Sequence, residues 1–179
     1  MPLREALTLH GPLRAGNFPG VAERFIIVAP QLPIAGDQWR KQAHAVRRIM
    51  TEAEKEYGGD PGRTYLTGFS YGGNGVFDVG IAQPGFWAAL WSVDPTRPPE
   101  GSLPCPLWLS LGEASRGKRS EFLHAINNLR EVRPEDVIPD ADFICEDRGE
   151  DHTGTAKIAY EEDRVYEWLL RKRRGSTCG

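Results

Sequence analysis

The chain has 179 residues, 40% of them hydrophobic and 26% charged, with a formal net charge of -3, which is the composition of one ordinary globular domain spanning residues 1–179. The mildly acidic balance speaks against a nucleic-acid partner. No stretch approaches the roughly 20 apolar residues of a membrane span, and the first residues lack the apolar run of a secretory signal, so a cytoplasmic location without a membrane partner is expected.

The three cysteines, Cys105, Cys145 and Cys178, are far apart and odd in number, so they are read as reduced thiols. The four histidines, His10, His44, His124 and His152, include no pair at i, i+4 spacing, so no metal site is expected. Short apolar runs alternate with longer amphipathic ones, the pattern of an α/β fold with a mostly parallel sheet of about five to six strands flanked by helices. Residues 25–29, a continuous apolar run closed by Pro30, read as a strand buried on both faces. A helix capped by Asp37 follows, with Trp39, Ala43, Val46, Met50, Ala53 and Tyr57 at spacings of three and four until Gly58 and Gly59 stop it.

Asp60-Pro61-Gly62 turns into a second strand over residues 64–69, and a helix opens at Ser70 and runs to about Ala82. Further strands are expected at 88–93, 107–111 and 141–145, with a proline-rich loop over 94–106. A helix with Phe122, Ala125, Ile126 and Leu129 on one face precedes the last strand, and a final helix turns Ile158, Val165 and Leu169 inward. Its basic end, Arg171 to Arg174, reads as a solvated helix terminus and not as a nucleic-acid patch. Residues 172–179 are expected to form a flexible tail.

Gly68-Phe69-Ser70-Tyr71-Gly72 is a G-x-S-x-G sequence between a predicted strand and a predicted helix, the context of a nucleophile elbow. The turn strains the serine backbone, and small residues two before and two after it let neighbouring segments pass close by. The helix starts at the serine, so the Tyr71 N–H and the positive end of the dipole face the oxygen that becomes negative in acyl transfer. The plainer reading is a glycine-rich turn without catalysis. A nucleotide-binding turn is disfavoured, because Gly68 to Gly75 contains neither G-x-G-x-x-G nor a lysine after the glycines.

A serine hydroxyl needs a base, and His152 stands in the loop after the last predicted strand. His44 and His124 fall within helices. The third member is expected in the loop after Leu111, where Glu113 is the one carboxylate before the next helix; Asp94, after the preceding strand, is the reserve. Trp39, Tyr71 and Trp91 are candidates for the wall of a substrate pocket.

The run from Asp60 to Gly73, DPGRTYLTGFSYGG, resembles the D-P-x-R-x-Y-x-T-G-x-S-x-G-G signature of the esterase, phospholipase/carboxylesterase and polyhydroxybutyrate-depolymerase-like branch of the α/β-hydrolases. Val28-Ala29-Pro30-Gln31, Trp39, His152 and the Tyr166 to Leu170 segment are similar to that branch as well. The resemblance implies an α/β-hydrolase fold and a cofactor-free serine hydrolase, with Ser70 as nucleophile and His152 as base. The substrate it implies is a small or polymeric ester, and a homodimer stays open. Two departures stand out. Three residues after Gly112, where the branch places its acid, this chain has Ser115, so Glu113 is a substitute and not a match.

The N-terminus is also reduced relative to that branch. Leu7-Thr8-Leu9-His10-Gly11 is read as the strand that carries the oxyanion loop, with residues 6–9 paired in the sheet, or else as a helix that follows a lost strand. Pro12 has no N–H, so the second oxyanion donor falls to Gly11, Leu13 or a side chain, or is missing. These departures leave a rival function open, a degenerate hydrolase that binds a ligand or partner without turnover.

Overall fold

The computed structural model describes residues 3–17 and 20–175. Its sheet contains β1 (Tyr65–Phe69), β2 (Ala89–Val93), β3 (Leu107–Leu111), β4 (Arg130–Val132) and β5 (Phe143–Asp147), all parallel, in the order β1-β2-β3-β5-β4. The helices are α1 (Leu3–Leu7), α2 (Val21–Arg24), α3 (Ala43–Tyr57), α4 (Tyr71–Ala82), α5 (Glu113–Arg116), α6 (Arg119–Ala125), α7 (His152–Glu161) and α8 (Arg164–Leu170). This is an α/β fold with helices on both faces of a parallel sheet.

The two-residue period of the strands divides the core. Leu90, Leu107 and Leu109 face one way, onto Val46, Phe77 and Phe122 from α3, α4 and α6. Ala89, Trp91, Val93, Trp108 and Ile144 face the other way, onto Tyr160 of α7 and Tyr166 and Trp168 of α8. With both faces covered, β2 and β3 are buried along their whole length, as a parallel sheet requires. Register then sets the site: Phe69 pairs with Val93, so Ser70 and Asp94 follow neighbouring strand ends. Ligand sites of open parallel sheets lie at such carboxyl ends.

Several elements differ from the sequence reading. Residues 6–9 are not a strand: α1 ends at Leu7 and a turn follows, with Thr8 N–H on Glu5 O and Leu9 N–H on Ala6 O. Leu-Arg-Glu-Ala-Leu consists of strong helix formers, and no paired strand overrides that preference. Residues 25–29 carry no regular structure. Phe25 is extended and reaches Tyr65 and Tyr166 with ring centroids 6.1 and 5.6 Å away, but among the described residues β1 pairs with β2 alone. The helix expected after Asp37 starts as a 3-10 turn over Trp39–Gln42 before α3 takes over.

The short strand β4 was not foreseen, β5 begins two residues later than expected, and the expected final helix is two, α7 and α8. The start of the expected tail is anchored: Lys172 pairs with Asp142 at 2.8 Å, Arg173 with Asp60 at 2.9 Å, and Arg174 donates to Thr64 at 3.1 Å. These contacts are specific structural ties, where a solvated basic end was expected. Residues 176–179 lie outside the described residues.

Candidate active site

Gly68-Phe69-Ser70-Tyr71-Gly72 makes the junction of β1 and α4. Ser70 has φ 56° and ψ -114°, a conformation that costs an ordinary residue of order 1–3 kcal/mol and persists only where its surroundings hold it. Two backbone bonds hold it: Ser70 N–H donates to Val93 O at 2.9 Å, and Ser70 O accepts from Asn74 N–H at 3.1 Å. Gly68 is required by close approach, since a Cβ there would meet Gly72 O at 2.4 Å. Gly72 itself differs from expectation, because a Cβ on it would meet nothing within 4 Å. The tight glycine after the serine is Gly73, whose Cβ would lie 3.0 Å from Val93 O.

His152 is the first residue of α7, one turn inside the element expected to be a loop. Asp151 caps that helix by accepting from Gly154 N–H at 2.6 Å, and this backbone bond holds the Asp151 carboxyl below its ordinary range. The cap aims the imidazole at the elbow: Nε2 lies 3.0 Å from Ser70 Oγ and Nδ1 lies 2.5 Å from Asp94 Oδ2. The ring rests on Phe69, centroids 4.5 Å apart. Because an ionised carboxylate only accepts, the network puts the proton on Nδ1 and leaves the Nε2 lone pair for the serine hydroxyl.

Asp94 is fully buried and is satisfied throughout. Oδ1 accepts from Gly112 N–H at 3.0 Å, Ser115 N–H at 2.9 Å and Ser115 Oγ–H at 2.6 Å; Oδ2 accepts from Ala114 N–H at 3.2 Å and from the imidazole. These donors offset the cost of burying the carboxylate.

This geometry corrects the expectation for Glu113. Among the described residues its exposed side chain accepts the backbone N–H of His152, at 3.3 Å, because α5 begins at Glu113 and turns it outward, while the end of β2 projects Asp94 beneath the ring. Ser115, which stands where the resembled branch has its acid, donates to Asp94 instead.

A second set of contacts steadies the histidine loop. Arg116 binds Asp147 through Nε at 2.7 Å and Nη2 at 2.8 Å, and Nη2 also reaches Glu150 O at 2.9 Å. The Arg116 guanidinium, and then the Gly149 N–H, hold the Asp147 carboxyl below its ordinary value. Arg116, Ser115 and Phe69 were not singled out from the sequence, since each matters only through a neighbour distant in the chain.

The remaining candidates are placed as follows. Tyr71 opens α4, where first-turn N–H groups have no helical acceptor, and its hydroxyl donates to Asp37 O at 2.7 Å. Gly11 (φ 84°) sits in a turn, its carbonyl accepting from Arg14 N–H and from Asn17 Nδ2 at 2.7 Å; among the described residues no hydrogen bond ties it to Ser70. Its neighbour His10 stacks on Phe69 with centroids 4.9 Å apart. Burial first, then Arg14 and His152, lower the His10 pKa. Trp39 packs against Gly75, where a Cβ would strike its ring at 2.5 Å.

Trp91 is fully buried between Tyr160 and Tyr166 and donates to Ser110 Oγ at 3.1 Å, so it belongs to the core. Both tryptophans touch a cavity of about 620 Å³ whose wall includes His10, Gly68 and Gly72 but neither Ser70 nor His152. That cavity therefore lies beside the elbow. Burial pushes the Cys105 and Cys145 thiols up to about 12, which leaves them poor nucleophiles. Among the described residues, no group of three or more His, Cys, Asp or Glu could hold a metal ion, and no helix is long and apolar enough to cross a membrane.

No protein-family model and no curated protein matches the chain. Among solved structures it is similar to the crystal structure of a thermostable esterase, with a TM-score of 0.50 and 21% identity over 75% of this chain and 37% of that one. The chain thus spans little more than a third of that protein's length. Likeness at this identity speaks for the fold, a parallel α/β sheet flanked by helices.

Proposed function

We propose that the protein is a serine hydrolase of the α/β-hydrolase type that cleaves carboxylic esters through an acyl-enzyme on Ser70. One observation carries this reading: a serine on a strained strand-to-helix turn, an imidazole 3.0 Å from its hydroxyl, and a buried carboxylate 2.5 Å from the other ring nitrogen, in the chain order serine, acid, histidine. Ser70 Oγ attacks the ester carbonyl carbon while its proton passes to His152 Nε2. Asp94 keeps its charge and stabilises the imidazolium. The tetrahedral oxyanion is met by the Tyr71 N–H at the start of α4. Collapse expels the alcohol, which takes the proton back from Nε2, and water repeats the sequence to release the acid.

The substrate of this reading is a small-molecule or a polymeric ester. The reading assigns no second oxyanion donor: Pro12 carries no N–H, and among the described residues no backbone–backbone bond ties Gly11 or Leu13 to Ser70. Turnover is therefore expected to be slow while the serine stays reactive. The test is labelling with a fluorophosphonate, followed by peptide mapping and hydrolysis of 4-nitrophenyl butyrate. Stoichiometric modification at Ser70 with loss of hydrolysis supports the reading. Folded protein that is neither labelled nor active would support a ligand-binding protein with a degenerate site.

A further inference from the structure

Asn74 is a buried polar side chain that the catalytic reading does not use. It sits in the first turn of α4, 6% exposed, where asparagine is a poor helix former and a buried amide is costly unless it is hydrogen-bonded. Both of its amide atoms are bonded, and to one residue: Thr96 N–H donates to Asn74 Oδ1 at 3.0 Å, and Asn74 Nδ2 donates to Thr96 Oγ1 at 2.7 Å. Thr96 lies two residues beyond Asp94. On the other side of Asp94, Val93 O accepts from Ser70 N–H at 2.9 Å and Ser92 Oγ donates to Gly73 O at 3.0 Å. Asp94 is thus bracketed, before and after, by bonds to the one segment, 70–74, that carries the nucleophile. It needs such a bracket, because its φ of 40° lies in the left-handed region, which a residue other than glycine keeps only where its surroundings hold it.

We propose that Asn74 is a positioning residue: its clasp on Thr96 sets where the Asp94 carboxylate stands relative to Ser70, and so orients His152 between them. The inference rests on the hydrolase reading and adds a residue to it. The protein donors to Asp94 other than the imidazole, namely the Gly112, Ala114 and Ser115 N–H groups and the Ser115 hydroxyl, all come from residues 112–115 beyond β3. They fix the carboxylate to the end of β3 and to α5, and not to the elbow. The imidazole must meet both partners at once, with Nδ1 2.5 Å from Asp94 and Nε2 3.0 Å from Ser70, so the separation of acid and nucleophile has to be held by something other than the ring itself. Up to Val93, where β2 ends, sheet register holds it. Beyond Val93 the chain leaves the strand direction at Asp94, register no longer acts, and the two bonds between Asn74 and Thr96 take its place.

The test compares Asn74→Ala, Thr96→Val and Thr96→Ser in the whole protein. Two quantities are read: kcat and KM on 4-nitrophenyl butyrate, and the far-downfield proton resonance of the hydrogen bond between His152 Nδ1–H and Asp94, which needs no turnover. Asn74→Ala and Thr96→Val should each lower kcat at least about tenfold, with KM within about twofold, and should broaden or remove the resonance. Thr96→Val leaves Asn74 in place, so it carries the measurement if Asn74→Ala does not fold. Thr96→Ser keeps both bonds and should stay within about twofold of the unsubstituted protein on kcat, with the resonance intact. In an Asp94→Asn background, Asn74→Ala should lower kcat by less than about a further twofold, because it acts through Asp94; a general loosening of α4 would lower it equally in both backgrounds. Unchanged kcat and resonance in the folded variants would overturn the inference and leave the hydrolase reading standing, as would losses that multiply with that of Asp94→Asn. An unsubstituted protein with neither turnover nor resonance would overturn the hydrolase reading, and this inference with it.

Discussion

The Nδ1 of His152 lies 2.5 Å from Oδ2 of Asp94, a residue 58 positions earlier in the chain. Asp94→Asn should therefore lower kcat on 4-nitrophenyl butyrate by about 10³–10⁴, since an amide in that place favours the wrong imidazole tautomer. Glu113→Gln should change it by less than about threefold, because its carboxylate meets the His152 backbone N–H and not the imidazole ring. Side-by-side kinetics of the two variants settle the assignment; a large effect at Glu113 with a small one at Asp94 would reverse it.

Ser70→Ala and Ser70→Gly should both abolish hydrolysis and differ in stability. The backbone at φ 56° and ψ -114° strains alanine as it strains serine, whereas glycine occupies that region with little steric cost. We expect the glycine variant to be about 1 kcal/mol more stable than the alanine variant in urea denaturation, after its extra unfolded-state entropy is offset. Equal stabilities would show that the turn stores no strain.

The two glycines of the elbow should respond oppositely. Gly68→Ala places a methyl group 2.4 Å from Gly72 O, so the turn must shift, at a cost of about 2–3 kcal/mol and with loss of labelling at Ser70. Gly72→Ala meets nothing within 4 Å and sits in the first turn of α4, where alanine is the better helix former by up to about 1 kcal/mol. Thermal unfolding with fluorophosphonate labelling checks both.

The Arg116–Asp147 clamp has a pH signature. The folded Asp147 carboxyl titrates below its ordinary 3.8, first because Arg116 donates to it. Between the folded and the ordinary value the unfolded chain binds more protons, so the clamp stabilises fully above about pH 4 and the contribution is lost as pH falls through the folded value. Asp147→Asn should flatten that part of the acid limb in urea midpoints taken from pH 7 to about pH 2. Because the same arginine holds Glu150 O beside the α7 cap, Arg116→Gln should also lower kcat by about tenfold through misplacement of His152. An unaltered acid limb in Asp147→Asn would remove the clamp from the account.

If the Tyr71 N–H is the one oxyanion donor, turnover of an activated ester should be about 10²–10³ below that of hydrolases with two. Pre-steady-state kinetics on 4-nitrophenyl acetate give the number. A rate typical of a complete hydrolase would reveal a second donor near Ser70.

Local chemistry was enough to determine much of this protein from its sequence. The apolar runs at 88–93 and 107–111 lie on β2 and β3 within a residue at one end, because strands buried on both faces are predominantly apolar, and the buried Ser92 and Ser110 each have a hydrogen-bond partner. The elbow at Ser70 was legible because a strained turn between strand and helix demands glycine at Gly68, and His152 stood out as the one histidine outside the helices and after the last strand. Whatever depended on a neighbour distant in the chain was decided only by the tertiary structure. Phe69 opposite Val93 is a matter of strand register, and that register put Asp94, not Glu113, under the imidazole. Residues 25–29 have the composition of a buried strand, yet a strand exists only when a partner pairs with it, and among the described residues none does. Residues 6–9 follow the same rule: without pairing to hold them extended, local helix preference governs residues 3–7.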